Sequence, residues 1–382
     1  MPKLSEIFTL QMGKTPARAK NEYWNNGDND WVSISDLSTY DKYVGETKET
    51  ISDLAVKDSG IKPAPADTVI MSFKLTLGKT AITVRPTYTN EAIMAFIPNG
   101  NYPVHTSYFY HFFAGRDWSN GTNRAVMGTT LNKATLSEID IPVPSISEQI
   151  EIAVHLDKID SLISLRKQQL AKLDELVKAR FVELFGAETE LEKWPCCTVG
   201  DVAEVCVGVV IKPTQYYTDN GIPAFRSLNI GEMRVKDNDW VYFTEEGHQK
   251  NQKSVIRKND VLVVRSGAPG TACVATEKYD GYNAVDIIIA HPDNKKVNSI
   301  FLAAFTNMPH GMNQIRAKTG GAAQQHFNVG GYKAMCLIMP SIDLQNQFAA
   351  FVEQTDKSKS AIQQSLDKLE TLKKALMQKY FG

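Results

Sequence analysis

The stretch LTLGKT, residues 75–80, comes closest in this chain to a phosphate-binding loop. A P-loop cradles phosphate oxygens with the backbone amides of G-x-x-x-x-G-K-[ST], and Phe73 stands where its first glycine belongs. The motif is half present, and it reads as a turn. His105, His111, His248, His291, His310 and His326 show no H-E-x-x-H or comparable ligand spacing and read as scattered surface or core residues. Asp36, Asp237 and Asp239 could in principle hold a nuclease's metal, but no lysine accompanies them in a recognisable pattern. A methyltransferase would need a glycine-rich cofactor turn and an Asn/Asp-Pro-Pro-aromatic motif, and neither occurs. Cys196 and Cys197 adjoin, and neither they nor Cys206 has zinc-type partner spacing, so these read as ordinary buried thiols. The expectation is no catalytic set, no metal and no cofactor.

What remains is positive charge on glycine-rich loops. Net charge is −1, which counts against a histone-like protein but can hide local fields. Residues 294–342 contain no Asp or Glu yet carry Lys295, Lys296, Arg316, Lys318 and Lys333. Residues 68–90 carry Lys74, Lys79 and Arg85, again without an acid. Lys and Arg in such stretches can neutralise phosphates, Arg can fork onto guanine, and Gln can fork onto adenine. One pair of candidate loops is RAKTGGAAQQHFN (316–328), with Arg316, Lys318, Gln324, Gln325 and His326, and GRDWSNGTNRAVMGTT (115–130), with Arg116, Asn123 and Arg124. The other pair is RSGAPG (265–270), with Arg265 and Ser266, and KLTLGK (74–79), with Lys74 and Lys79.

These loops belong to a repeat. PSISEQIEIAVHLDKID (144–160) aligns without gaps on PSIDLQNQFAAFVEQTD (340–356), and about 16 of 43 positions agree through to Gly186 and Gly382. Each copy reads as one long helix of about 37 residues, roughly 55 Å, with no Pro or Gly inside. Ser145 with Glu148 forms a capping box, Ser341 or Asp343 can cap the second copy, and Gly186 and Gly382 stand at the ends. Leu156, Ile163, Leu170, Leu173 and Val177 recur at a and d spacing, as do Ile362, Leu366, Leu369 and Leu376. Arg166 interrupts the first stripe and Lys359 the second, in different places, which suits pairing of the two helices with each other. The preceding segments repeat more weakly: TVIMSFKLTLGKTAITV (68–84) matches DVLVVRSGAPGTACVAT (260–276), with Gly78 opposite Gly270. Likewise TLNKATLSEIDIPVP (130–144) matches HFNVGGYKAMCLIMP (326–340), and WVSISDLS (31–38) matches IPAFRSLN (222–229). Their alternating β-branched and aromatic residues read as short strands.

Length, 382 residues with 43% hydrophobic and 22% charged, suits two or three domains. No stretch approaches a membrane span, MPKLSEIFTLQMGKT is too polar for a secretory signal, and five cysteines fit a reducing cytoplasm.

The block IPVPSISEQ…LDKIDSLI…KQQLAKLDEL…F…LFG (141–186), its second copy (338–382) and the R-S-G-x-x-G turn (265–270) resemble the specificity (S) subunits of type I restriction–modification systems. The first half departs from the pattern with Phe73-Lys74 where the second has Arg265-Ser266. The resemblance implies an α+β protein with two mixed α/β target recognition domains, at 1–143 and 187–339. Each is followed by a long helix, at 144–186 and 340–382. The helices would pair as an antiparallel coiled coil with pseudo-two-fold symmetry, which matches the local dyad of duplex DNA. It further implies a cytoplasmic, non-catalytic subunit reading a bipartite duplex target with an unread spacer. Its helices would dock methyltransferase (M) subunits, two in number, and the restriction (R) subunits would join that core. A self-sufficient nuclease or methyltransferase would need a metal or cofactor constellation. A scaffold binding only protein would leave the acid-poor, glycine-rich duplicated parts unexplained.

Overall fold

In the computed structural model of the protein, residues 1–74, 76–118, 123–125, 128–319 and 326–382 are described. For Asn25, Asn26, 123–125, 128–130 and Leu191 the description covers the backbone alone. The fold is α+β. Two compact units form, one from Met1–Lys167 with Ser365–Gly382 and the other from Gln168–Gln364. Both long helices are cut at their middles by this division. Each unit therefore holds one globular part, the first half of the helix that follows it, and the last half of the other helix.

The first unit is built on an antiparallel sheet with strands in the order Phe8–Met12, Ile93–Pro98, Val69–Ser72, Thr80–Ile82. The second unit has Ala203–Val207, Ile287–Pro292, Val261–Val264, Ala272–Val274 in the same order and sense. Val69–Ser72 and Val261–Val264 are buried along their whole length, because side chains cover both faces. That is why they read as apolar runs without polar alternation. One face of each sheet meets a short aromatic-rich helix, Thr106–Gly115 or Ser299–Asn307. A smaller sheet beside each main sheet contains one parallel pair, Val32 with Thr89 and Ala224 with Asn283.

The long helices run Ile146–Phe185 and Ile342–Phe381, 40 residues each, or about 60 Å at 1.5 Å per residue. Ser145 N–H donates to Glu148 Oε2 at 3.0 Å and Glu148 N–H to Ser145 Oγ at 3.4 Å, the expected reciprocal cap. Ser341 Oγ accepts from Leu344 N–H at 3.4 Å and caps the second helix. Gly186 ends the first helix with φ +90°, a left-handed conformation that side chains resist. Within each unit the helix halves pack antiparallel. Lys373 meets Asp160 at 2.5 Å and Lys167 meets Glu370 at 3.6 Å in the first. In the second, Lys359 meets Asp174 at 2.7 Å, and the rings of Phe181 and Phe185 lie 5.4 and 5.6 Å from Phe348. The lysine that breaks the second stripe thus answers an aspartate on the facing helix. Leu156, Val177 and Leu366 are buried, and Ile163, Leu170, Leu173, Ile362, Leu369 and Leu376 are half-buried along the seam side.

Two local expectations need correction. The segments 130–144 and 326–340 do not begin as strands. Each opens with a one-turn helix, Lys133–Ser137 or Val329–Lys333, because Asn132 and Asn328 accept the amides of Thr135 and Gly331 at 2.8 and 2.7 Å. The cysteines are not all buried thiols either. Cys196 is exposed because it lies on a two-stranded ribbon, Cys196–Thr198 with Cys336–Ile338, outside the main sheets, and Cys197 and Cys206 are half-buried.

Candidate nucleic-acid interface

The two glycine turns share one backbone design. After Val264 the chain turns so that Gly270 N–H donates to Val264 C=O at 3.0 Å, and after Ser72 it turns so that Gly78 N–H donates to Ser72 C=O at 2.9 Å. Both glycines have positive φ, +94° and +77°. A Cβ at Gly270 would lie 2.8 Å from Met312 Sδ and Ile315 Cδ1, and one at Gly78 2.6 Å from the Trp118 ring. Gly78 precedes the strand Thr80–Ile82, not a helix, so LTLGKT offers no helix N-terminus to a phosphate.

The residue after the strand differs between units while its backbone contacts match. Phe73 C=O accepts from Leu131 N–H at 3.0 Å, and Arg265 C=O accepts from Phe327 N–H at 2.9 Å. Phe73 is buried in an apolar cluster that includes Trp118 and Leu131. Arg265 is buried too, and its guanidinium is fully engaged. It donates from Nη1 to Asp286 Oδ1 at 2.6 Å and from Nε to Phe327 C=O at 3.2 Å, and Nη2 meets His326 Nε2. Ser266 Oγ and His326 Nδ1 lie 2.7 Å apart. Two loops that are 60 residues apart in sequence are therefore stitched into one surface through Arg265, Ser266 and His326.

Arg316 and Lys318 stand in the last turn of the helix Pro309–Thr319, where cations also suit the helix dipole. Both are exposed. Arg316 reaches Asn313 Oδ1 at 3.4 Å, and Lys318 donates to Gly331 C=O at 2.8 Å. In the first unit Lys74 and Lys79 are half-exposed on the turn. Exposed Arg116 lies 5.5 Å from the rings of Phe112 and of Trp118. Asn123 falls in a strand, Asn123–Ala125, paired with Gly128–Thr130, which also contains Arg124. The side chains of Asn123 and Arg124 lie outside the description, as do Gln324 and Gln325 entirely.

Sequence reasoning missed the groups that tie each reader to its helix. Gln149 is wholly buried; its Nε2 donates to Pro103 and Pro144 carbonyls at 3.0 Å each, and its Oε1 accepts from His105 N–H at 2.9 Å. Gln345 repeats this with Pro340 C=O and Asn298 N–H, both at 2.9 Å. Their identity in the repeat was the available signal. Lys42 has no such signal. Its Nζ meets Asp157 Oδ1 at 2.5 Å and donates to Ser107 Oγ at 2.7 Å, while His111 Nε2 lies 2.7 Å from the same carboxylate. Burial pushes the Asp157 carboxyl up, but Lys42 and His111 together outweigh it and hold it below its ordinary value. Burial lowers the pKa of His111 and outweighs the pull of Asp157.

Among the described residues no group of three or more His, Cys, Asp or Glu is placed to hold a metal ion. Nor is any helix among them long and apolar enough to cross a membrane.

Residues 1–175 match the family model described as type I restriction modification DNA specificity domain. The specificity subunit of the MjaIX enzyme of Methanocaldococcus jannaschii is 23% identical over 376 residues, covering 92% of this chain and 85% of that protein. The EcoprrI specificity subunit of Escherichia coli is 23% identical over 382 residues, covering 94% and 88%. The crystal structure of a type I restriction–modification S subunit from M. genitalium matches with a TM-score of 0.58 at 13% identity, over 100% of this chain and 95% of that one. The chain belongs to the specificity subunits of type I restriction–modification systems. Its part in such an enzyme is recognition of DNA sequence, not catalysis.

Proposed function

We propose that the globular parts, 1–143 and 187–339, each read one half of a bipartite duplex DNA target. The observation that carries this is the duplicated reader: the same sheet order and the same glycine turn in both units, with different side chains on the turn. Lys74, Lys79, Arg116, Asn123 and Arg124 face one half-site, and Ser266, Arg316, Lys318, Gln324, Gln325 and His326 the other. Exposed cations supply phosphate contacts, and amide and imidazole groups read base edges. Arg265 contributes by holding the two loops of its unit together.

The long helices, 144–186 and 340–382, serve as the spacer and the platform for methyltransferase subunits, and restriction subunits join through that core. Ile146, Ile150 and Val154 support this reading, since they recur every four residues and remain 43, 43 and 56% exposed. Such a stripe on a helix suits a partner surface. The test is exchange of residues 190–335 for another recognition domain, followed by methylome sequencing of cells that also carry the M subunits. One half of the methylated target should change and the other stay. A change in both halves would defeat the reading.

A further inference from the structure

In the second unit three side chains from separate segments line up. Cys206 Sγ lies 3.7 Å from His291 Nε2, and His291 Nδ1 lies 2.6 Å from Asp260 Oδ1. Asp260 is held in turn by Arg257 N–H, which donates to its other oxygen at 2.6 Å. The Nδ1–H therefore points at Asp260, and Nε2 faces the sulfur. Cys206 is half-buried, and its Sγ also contacts the Lys253 carbonyl oxygen at 3.2 Å. Nucleophile, base and orienting carboxylate stand in the order that activates cysteine in enzymes.

The fold does not require this arrangement. The first unit's sheet has the same register with Gln11 in place of Cys206, Ile97 in place of His291 and Thr68 in place of Asp260. There Gln11 Nε2 simply donates to the carbonyls of Lys62 and Pro63, each at 3.1 Å. A plain amide fills the position that the second unit gives to a thiol, an imidazole and a carboxylate.

We propose that Cys206 is a selectively reactive thiol, a modification site for small electrophiles of the peroxide class, with His291 and Asp260 as its positioning residues. The hydrogen bond from Asp260, then that from Cys206, raises the His291 pKa to about 9, so the ring carries a proton at neutral pH. The imidazolium then faces the attacking sulfur as its counter-charge. In the reaction the sulfur attacks one peroxide oxygen, an S–O bond forms, and the O–O bond breaks. The Nε2 proton passes to the departing oxygen, which leaves as water, and the proton given up by the thiol restores the imidazolium. Sulfur is oxidised to sulfenic acid as the peroxide is reduced.

The test uses the full chain with hydrogen peroxide, sulfenic acid being trapped by dimedone, and in parallel with iodoacetamide. Peptide mass spectrometry follows each of the five cysteines. Cys206 should react at least tenfold faster than Cys196, although Cys196 is the more exposed thiol. His291→Gln should slow Cys206 at least tenfold and Asp260→Asn at least threefold, with Cys196 and Cys336 unchanged. Buried Cys273 reports folding, because it becomes reactive only if the sheet opens. Should a variant unfold by that criterion, the comparison of Cys206 with Cys196 in the unaltered chain decides alone. Equal or slower reaction of Cys206 there, or an unchanged rate in folded His291→Gln, would overturn the proposal.

Discussion

Replacing Lys42 with Met removes the cation from the Asp157 carboxylate while keeping the length of the side chain. The Lys42 side chain is 18% exposed and that of Asp157 37%, so the pair lies between a surface pair and a buried one. Exposed pairs contribute about 0.2–1 kcal/mol, and breaking a buried pair costs about 3–5 kcal/mol. His111 remains as a second partner, and solvent screens Asp157, which places the expected loss near 1.5 kcal/mol. For a unit of this size that is about 3–6 °C in Tm, readable by calorimetry. The pH dependence gives a second check. Asp157 has a depressed folded-state pKa, so its contribution is present above the unfolded value of about 3.9 and is lost as pH falls through the folded value. The gap between the two proteins should hold steady from pH 8 to 5 and close below about pH 4. His111 is also depressed, so both proteins should lose stability as pH falls below about 6.5, where the unfolded chain takes up a proton that the buried ring resists. An unchanged Tm at pH 7, or a gap that persists at pH 3, would refute the reasoning.

Gln345→Leu should destabilise the second unit by about 2–4 kcal/mol, because it leaves the buried Asn298 N–H and Pro340 C=O without partners; urea unfolding would measure it. Arg316→Ala and Arg265→Met should part company in the salt dependence of DNA binding by the assembled enzyme. Loss of a phosphate contact at Arg316 lowers the log–log slope by about 0.9, whereas Arg265→Met weakens one half-site without changing the slope, because its guanidinium is spent on Asp286 and His326.

The long helices were legible in the sequence because their determinants are local. A Ser145–Glu148 cap, an uninterrupted run of helix formers, a seven-residue apolar period and a terminal glycine all act within a few residues of chain. The repeat made the duplicated domains legible for the same reason, since Pro144 and Pro340, Gln149 and Gln345, and Phe185 and Phe381 can be matched by eye. The short helices at Lys133–Ser137 and Val329–Lys333 escaped because β-branched and aromatic neighbours masked a single asparagine cap.

The sequence by itself determined that there are two similar readers, each followed by a long capped helix with one apolar side. Only the tertiary structure decided which distant groups meet. Phe73 and Arg265 occupy the same backbone position, yet one is buried among rings and the other joins Asp286 to His326. Lys42 reaches Asp157 across 115 residues, and Cys206 reaches His291 across 85. Helix caps and periodicity depend on neighbours three to seven residues away, so a sequence displays them. Partners of buried charge depend on strand order and register, which bring segments together only once the sheets have formed.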